Sequence, residues 1–178
     1  SEDKGDWTPN IILKNKKILI LGPGINLKKS KKEIIKFIQK HKPYVLSINF
    51  ESHIPQKFIN TYIACHPLRL LVDLQRKEKR LRPIILPLNR LKDLIHDHKN
   101  NNMKFLNFGL KVKKNIFKIY DQSAVIPNSL GISYALAVAN SGKVSKIYLA
   151  GFDGYSIDNP KRIIVQETLD IYKQNNKL

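Results

Sequence analysis

Two apolar runs, each ending in glycine, constrain the fold of this chain more than any other feature. Residues 18–21 lead into Gly22-Pro23-Gly24, and residues 147–150 lead into Gly151. Short uninterrupted apolar runs are typical of parallel strands that are covered on both faces. Glycine after such a strand allows a tight turn and a close approach of the backbone to an anion such as phosphate. We therefore expect two buried strands whose ends lie side by side and form a site.

The segment between the first run and residue 50 predicts a βαβ unit. Ser30 and Glu33 have the spacing of a capping box, and apolar residues then recur with helical periodicity, which predicts a helix over residues 31–41. Pro43 ends this helix, and residues 44–50 are predicted to form a second strand. Two strands joined by one helix are expected to be parallel, with a right-handed crossover.

The rest of the chain continues the alternation of strands and helices. Strands are predicted over residues 62–65, 84–86, 105–108 and 116–120, and helices over 69–80 and around 91–95. A helix that is apolar almost all round opens with Asn128 or Ser129 as its cap, and a final helix runs from Pro160 to about Lys173. This pattern predicts a Rossmann-like α/β fold, a mostly parallel sheet with helices on both faces. Residues 1–16 are predicted to be an arm or linker, and 17–178 a single domain.

The composition indicates an anionic partner. Thirty-two Lys and Arg residues against 14 Asp and Glu residues give a net charge of +18, which suits a nucleotide, a nucleic acid or an anionic membrane surface. A basic, solvated exterior is the alternative. The single cysteine, Cys65, excludes internal disulfides and is typical of a reducing cytoplasm. No apolar run approaches the ~20 residues that span a bilayer, so no transmembrane segment is predicted.

Several residues at the predicted strand ends are candidates for binding or catalysis. Residues 22–26 could form a phosphate turn, or could need glycine only for geometry. Asn49 could read a base or sugar edge through its amide, or could simply form a turn. Asp153 could bind a ribose hydroxyl, hold a metal or act as a base, or could cap the next turn. Each alternative is open at this point.

Metal and nucleic-acid sites are less favoured by the sequence. His96 and His98 are two residues apart and would point to different faces of a helix, and the adjacent side chains of Cys65 and His66 diverge, so no metal site is predicted. Basic residues cluster at 76–82 and could contact phosphates of nucleic acid. They lack the interleaved aromatic residues of single-strand binders, so nucleic-acid binding is less favoured than nucleotide binding.

Three segments together resemble the small bacterial sialyltransferases and the related 6-hydroxymethylpterin diphosphokinase-like domains. They are Lys-Lys-Ile-Leu-Ile-Leu-Gly-Pro-Gly-Ile-Asn-Leu at 16–27, an asparagine after the second strand, and the segment from Ser129 to the Ile-Tyr-Leu-Ala-Gly-Phe-Asp-Gly-Tyr run at 147–155. The resemblance implies a nucleotide ligand such as a CMP-sugar or another NDP-sugar. It also implies the contacts, which would be Gly22, Gly24, Asn26, Asn49, Ser129, Gly131 and Gly151. Asp153 would line the same cleft, where it is the candidate catalytic residue.

The chain departs from that family in two ways. Pro23 stands where the family has an asparagine, and no histidine follows His98, although the transferases have a catalytic histidine after the Gly-x-Asp strand. The glycine motifs are more similar to a domain attached behind aldolase-type (HMG-CoA lyase-like) barrels in bacterial surface-polysaccharide biosynthesis. This resemblance, with the lack of an initial Met, predicts the C-terminal part of a longer cytoplasmic protein. The domain would be either a nucleotide-sugar site or a non-catalytic docking module.

Overall fold

The computed structural model of the chain describes residues 3–50, 53–74, 82–95, 104–152 and 160–176. Its strands are β1 (Lys17–Leu21), β2 (Tyr44–Ile48), β3 (Thr61–Ile63), β4 (Ile84–Leu86), β5 (Phe105–Asn107), β6 (Gly109–Val112), β7 (Lys118–Ile119), β8 (Ser123–Ile126) and β9 (Lys146–Ala150). Six of these described strands form one parallel sheet in the order β5-β4-β3-β2-β1-β9. The other three form a small sheet in the order β6-β8-β7.

The helices follow the strands in alternation. They are α1 (Asn10–Leu13), α2 (Asn26–Lys29), α3 (Lys31–His41), α4 (Pro67–Leu74), α5 (Leu88–Ile95), α6 (Gly131–Ser141) and α7 (Pro160–Asn176), with one 3-10 turn at Gln56–Phe58. The predicted helices at 31–41 and after Pro160 are confirmed. The end predicted for α4 near residue 80 lies outside the described residues. No helix among the described residues is both long and apolar enough to cross a membrane.

The alternating side chains of β1 divide the core into two layers. Ile18 and Ile20 face a cluster that contains α6 and the small sheet, whereas Leu19 and Leu21 face a cluster that contains residues of α3, α4 and α5. α7 packs on the α6 side, where Tyr172 is buried. Each strand side chain therefore has apolar partners on one of two faces, as a sheet covered on both sides requires. The predicted Rossmann-like α/β fold with helices on both faces is confirmed.

The N-terminal residues pack against the domain. The backbone N–H groups of Asp6 and Trp7 both donate to the carbonyl of Asn107, and Gly5 donates to the carbonyl of Gln122. Leu13 of α1 is fully buried in the core. The segment predicted as an arm or linker is therefore fixed to β5 and to the residue before β8 by backbone hydrogen bonds, and to the core by one buried leucine.

Two strands of the small sheet, β6 and β8, are absent from the sequence prediction. The chain leaves the main sheet after Asn107 and continues as β6, which pairs in parallel with β8, while the antiparallel β7 is shorter than the predicted strand at 116–120. Both β6 and β8 are four residues long, and each pairs only within the small sheet. Segments this short carry too little periodicity to be separated from loop, which is why the pattern missed them.

The end of β2 and the caps of two helices differ from the prediction. β2 ends at Ile48, because Asn49 adopts a left-handed φ of 59°. α3 begins as predicted, but the capping box is wrong: Ser30 makes no side-chain capping bond. Since α2 ends directly before it, Ser30 has a φ of −94° and a ψ of 20° rather than the extended backbone of a typical cap. α6 is preceded by Leu130 rather than by a capping Asn128 or Ser129.

β9 is less buried than its sequence suggests. It lies at the edge of the sheet, paired with β1 on one side, and Leu149 is 44% exposed. The prediction that both glycine-bearing strands are buried is therefore right for β1 and wrong for β9. A short apolar run does not distinguish a central strand from an edge strand, because that position depends on the order of the strands.

Candidate functional site

A cavity of about 250 Å³ opens at the carboxyl edge of the sheet, where β1, β2 and β9 end. The adjacent strands β1 and β9 lead to opposite faces, β1 toward α3 and β9 toward α7. A crevice at such a switch point is where open α/β sheets bind ligands. The wall consists of Pro23, Gly24, Ile48, Asn49, His66, Ser129, Leu130, Gly131, Ile132, Gly151, Phe152 and Val165.

The fold brings most of the predicted site residues to this wall. Five of the seven residues predicted to contact a nucleotide line it, namely Gly24, Asn49, Ser129, Gly131 and Gly151. Gly22 is buried behind the wall and Asn26 is exposed at the start of α2, so neither lines the cavity. Asp153, the predicted catalytic residue, lies outside the described residues, directly after the wall residue Phe152.

The glycines at the ends of β1 and β9 pack against each other. The N–H of Gly22 donates to Ala150 at 2.8 Å and the N–H of Gly24 donates to Gly151 at 2.7 Å, so the β1–β9 ladder continues into the turn. A Cβ on Gly22 would lie 2.5 Å from the Gly151 carbonyl oxygen. Gly151 has a φ of 77° and would bring a Cβ to 2.6 Å from the Gly22 oxygen. The N–H groups of both glycines in this turn therefore bond the end of β9 and the residue after it.

The N-terminus of α6 forms a second part of the cavity wall. Ser129, Leu130, Gly131 and Ile132 all line the cavity at the start of this eleven-residue helix. The first N–H groups of a helix have no partner within the helix, and the helix dipole favours negative charge there. Gly131 lets this end approach β2, since a Cβ would lie 2.5 Å from the Ile48 Cγ2 methyl. The cavity therefore borders a helix end that favours an anion, although the Leu130 N–H itself bonds Asn128.

Asn128 holds the entrance of α6 in place. Its Oδ1 accepts hydrogen bonds from the Leu130 N–H at 3.2 Å and the Ser133 hydroxyl at 2.6 Å. Its Nδ2 donates to the Thr168 hydroxyl of α7 at 2.7 Å. α7 in turn contributes Val165 to the cavity wall. One side chain thus fixes the α6 entrance and the position of the helix that closes one side of the cavity.

Asn49 contributes an amide from the end of β2. Its N–H donates to the Ile63 carbonyl at 2.9 Å, which fixes the backbone, while the residue is half-buried at the cavity wall. Asparagine is the non-glycine residue that best tolerates the left-handed conformation found here. The turn-forming and ligand-reading interpretations of Asn49 are therefore compatible, since the backbone makes the turn and the residue faces the cavity.

Cys65 joins the loop after β3 to the entrance of α6. Its buried thiol donates to the Ser129 carbonyl at 3.3 Å. Burial raises the pKa of the Cys65 thiol to about 12, with the charge of Arg90 acting in the opposite direction. A neutral, buried thiol is a poor nucleophile and metal ligand. Cys65 therefore acts here as a structural contact.

His66 is the wall residue that the sequence interpretation missed. Adjacent side chains in an extended loop diverge, and here Cys65 points into the protein while His66 is exposed and lines the cavity. The divergence that argued against a joint metal site is thus what brings the histidine to the cavity. Among the residues that the structure describes, no group of three or more His, Cys, Asp and Glu is placed to hold a metal.

A larger and more open cleft of about 930 Å³ lies beside the N-terminal segment and β8. Two of its charged residues pair with each other, Lys111 Nζ lying 3.5 Å from Asp3 Oδ2, and its Gln122 donates to the Thr8 hydroxyl. These contacts attach the N-terminal segment to the small sheet. None of the predicted site residues lines this cleft.

Comparisons with protein-family models, with curated proteins and with solved structures find no match for this chain.

Proposed function

We propose that the cavity at the ends of β1, β2 and β9 binds a nucleotide or a nucleotide-sugar. The observation that carries the proposal is the convergence on one wall of Gly24, Asn49, Ser129, Gly131 and Gly151, which lie as far as 127 residues apart in the chain (151 − 24). They line a crevice at a switch point of the sheet, the usual location of nucleotide sites in such folds. Small and amide residues scattered at random along the chain would not be expected to meet at this one crevice.

The chemistry of the wall divides the ligand into two parts. The N-terminus of α6, with Ser129 beside it, suits a phosphate, because the helix dipole and the first N–H groups both favour an anion. The Asn49 amide offers a donor and an acceptor, which suits a base or sugar edge. The volume of about 250 Å³ lies just under the range of roughly 300–1,000 Å³ for drug-sized ligands. A mononucleotide moiety fits such a space better than a dinucleotide.

The resemblance to sialyltransferases extends the proposal to a reaction class. A CMP-sugar or another NDP-sugar would bind with its nucleotide in the cavity, and Asp153, directly after the wall, is the candidate for the catalytic residue. The activity would belong to surface-glycan biosynthesis in bacteria. The net charge of +18 supports an anionic ligand, because a basic surface raises the local concentration of anions and the rate at which they bind.

Thermal-shift titration with CMP, CDP, UDP and GDP tests the proposal. A ligand at 100 times its dissociation constant stabilises the folded state by about 2.7 kcal/mol, which shifts the melting temperature by several degrees. We expect at least one nucleotide to do so. A cooperative melt that none of the four nucleotides shifts would contradict nucleotide binding.

A matched pair of asparagines locates the binding site. Asn15 and Asn49 both have a φ of 59°, but Asn15 lies in the turn before β1, at the opposite end of that strand from the cavity. Both Asn15→Gly and Asn49→Gly keep a residue that accepts positive φ. Only Asn49→Gly removes an amide from the wall, and it should weaken nucleotide binding about fivefold, since a hydrogen bond contributes about 1 kcal/mol. Equal affinities in the two variants would place the ligand elsewhere.

A second candidate function, docking on an aldolase-type partner domain, is favoured by one observation. An apolar groove of about 360 Å³ runs between α3 and the edge strand β9, lined mainly by Ile34, Phe37, Tyr148 and Leu149. An exposed sheet edge beside apolar side chains is a typical interaction surface. Size-exclusion chromatography with an aldolase-type domain tests this candidate. A 1:1 complex that Leu149→Lys abolishes, in a protein whose melting temperature no nucleotide shifts, would favour docking over nucleotide binding.

A further inference from the structure

Four exposed aliphatic side chains lie beside the mouth of the cavity. Each is one or two positions along the chain from a wall residue, Gly24, His66 or Val165. They are 37–69% exposed, and none of them lines the cavity itself. These residues, here called the apolar rim, are Ile25, Leu68, Ile163 and Ile164. The apolar rim therefore lies next to the cavity but outside the space for a ligand.

The parallel sheet brings the apolar rim to one edge of the molecule. Ile25 follows β1 and Leu68 follows β3, and parallel strands end at the same edge of a sheet. Ile163 and Ile164 belong to α7, whose Val165 lines the cavity at that edge. Single exposed aliphatic residues are common on protein surfaces, whereas several of them beside one cavity mouth indicate a binding surface.

The segments that carry the apolar rim are basic. Residues 23–32, 65–70 and 160–166 contain no Asp or Glu. Glu33, which follows the first segment, lines the groove between α3 and β9 instead. Exposed cationic side chains in the first and third segments are Lys28, Lys29, Lys31, Lys32 and Arg162. The apolar rim is therefore set among positive charges, in a chain whose net charge is +18.

An anionic lipid bilayer is the partner that suits both features. Amphipathic surfaces bind such a bilayer by placing aliphatic side chains at the boundary between headgroups and acyl chains, while Lys and Arg contact the anionic headgroups. Nucleic acid would use the positive charges but would leave the aliphatic side chains without an apolar environment. We infer that the apolar rim and its cations bind the surface of an anionic bilayer, so that the cavity mouth faces the membrane. This inference goes beyond the proposed function and does not depend on it.

The charges and the aliphatic side chains act together in this contact. Each Lys or Arg near an anionic membrane surface strengthens binding about fivefold. Aliphatic groups add to this attraction, but four side chains at the headgroup boundary are too few to hold a protein on a membrane by themselves. We therefore expect reversible binding that weakens as the salt concentration rises, because salt screens the attraction between exposed charges.

Vesicle co-sedimentation measures the partition of the full chain onto membranes, at about 0.15 M salt. One set of vesicles is phosphatidylcholine alone, and in the other roughly one lipid in three is the anionic phosphatidylglycerol. Wild-type protein should bind the anionic vesicles about tenfold or more tightly than the neutral ones. Absence of binding to the anionic vesicles, or equal binding to both sets, refutes the inference.

A pair of glutamine substitutions tests the apolar rim without changing the charge. Ile25→Gln combined with Leu68→Gln should weaken binding to the anionic vesicles about tenfold, since it removes two aliphatic contacts. The matched control combines Ile11→Gln, before β1, with Tyr120→Gln, in the cleft beside the N-terminal segment, and should bind like the wild type. All four residues are 54–76% exposed, so the variants should fold, which thermal melting followed by circular dichroism checks.

A second pair of variants tests the charges. Lys28→Gln combined with Lys29→Gln removes two charges beside the apolar rim and should weaken binding more than about tenfold. Lys14→Gln combined with Lys40→Gln removes the same charge from exposed positions before β1 and at the end of α3, at the opposite edge of the sheet. This control should weaken binding about twofold at most, because distant charges are screened.

Equal losses in the rim variants and their controls would place the lipid contact on another face and refute the inference. A loss in the Lys28 and Lys29 pair without one in the Ile25 and Leu68 pair would also refute it, because the contact would then be electrostatic alone. Binding of a DNA duplex with the same dependence on the lysines would in that case make nucleic acid the partner. The nucleotide titration is a separate measurement, so the membrane contact and the proposed function can fail independently.

Discussion

Two glycine-bearing turns meet at the candidate site, and they use their glycines in opposite ways. At the ends of β1 and β9, Gly22 and Gly151 face each other, and the N–H groups of Gly22 and Gly24 bond the carbonyls of β9. At the entrance of α6, Gly131 contacts a side-chain methyl of β2, and the first turn of the helix borders the cavity. The turn at the ends of β1 and β9, here called the closed turn, is filled by backbone contacts. The turn before α6, here called the open turn, borders the cavity.

The difference changes where an anion is expected to bind. A glycine after a strand allows close approach, but the approaching group can be another strand as well as a phosphate. In the β1–β9 turn the carbonyl oxygens of Ala150 and Gly151 occupy the positions that phosphate oxygens would need. The turn after β1 therefore shapes the cavity, and the N-terminus of α6 is the part of the wall where an anion is expected.

The largest expected effect concerns the closed turn. Gly151→Ala would place a Cβ 2.6 Å from the Gly22 carbonyl oxygen at a φ of 77°, so both the strand spacing and the backbone conformation would have to change. We expect the free energy of unfolding to fall by about 2–5 kcal/mol, the sum of left-handed strain and overpacking. Chemical denaturation followed by circular dichroism measures it.

Gly131→Ala is the matched variant at the open turn. Its Cβ would meet the Ile48 methyl rather than backbone, so a side-chain adjustment relieves the contact and the loss should be about 1–2 kcal/mol. The comparison between a closed and an open turn predicts a larger loss for Gly151→Ala. Equal losses in the two variants would remove the distinction between backbone and side-chain contact.

An intermediate effect concerns the thiol that ties β3 to the open turn. In the unfolded chain Cys65 ionises near pH 8.5, whereas burial raises its pKa to about 12 in the folded protein. The folded state therefore binds the proton more tightly, and its stability, complete below pH 8.5, falls as the pH rises toward 12. The contribution is about 1.5 kcal/mol between pH 8.5 and 10.

Urea denaturation at these two pH values measures the loss, with Cys65→Ser as the reference. Serine keeps a donor for the Ser129 carbonyl but does not ionise in this range. Subtracting its profile cancels the contribution of groups that do not interact with the thiol, including Tyr44, whose pKa burial also raises. Wild-type and variant profiles with the same slope would mean that the thiol is accessible, and that the open turn lacks this contact.

The smallest expected effect concerns the start of α3, a third helix entrance. Replacing a capping serine by alanine usually costs about 1 kcal/mol. Ser30 makes no side-chain capping bond, so Ser30→Ala should change the free energy of unfolding by less than about 0.5 kcal/mol. Asn128→Ala, which removes three hydrogen bonds at the entrance of α6, should cost about 1–3 kcal/mol in the same assay. A loss near 1 kcal/mol for Ser30→Ala would show that a capping box forms in solution.

Local patterns predicted those parts of the fold in which neighbouring residues determine the structure. The helix at 31–41 follows from its periodicity, and the apolar α6 follows from a segment with no polar face. The wall positions of Asn49 and Gly151 were also predictable, because parallel strands end at one edge of a sheet. The small sheet was not, since β6 and β8 are short and are stabilised by each other rather than by local sequence.

By itself the sequence determined the α/β alternation, the two glycine-bearing strand ends and the buried helix between the small sheet and β9, because each depends on periodicity or on a single residue type. The tertiary structure decided three further points: that β9 lies at an edge, that the N–H groups of Gly22 and Gly24 bond β9, and that His66 reaches the cavity. The physical reason is that hydrogen-bond partners and cavity walls join residues distant in the chain. Their identity depends on strand order, which no local pattern contains.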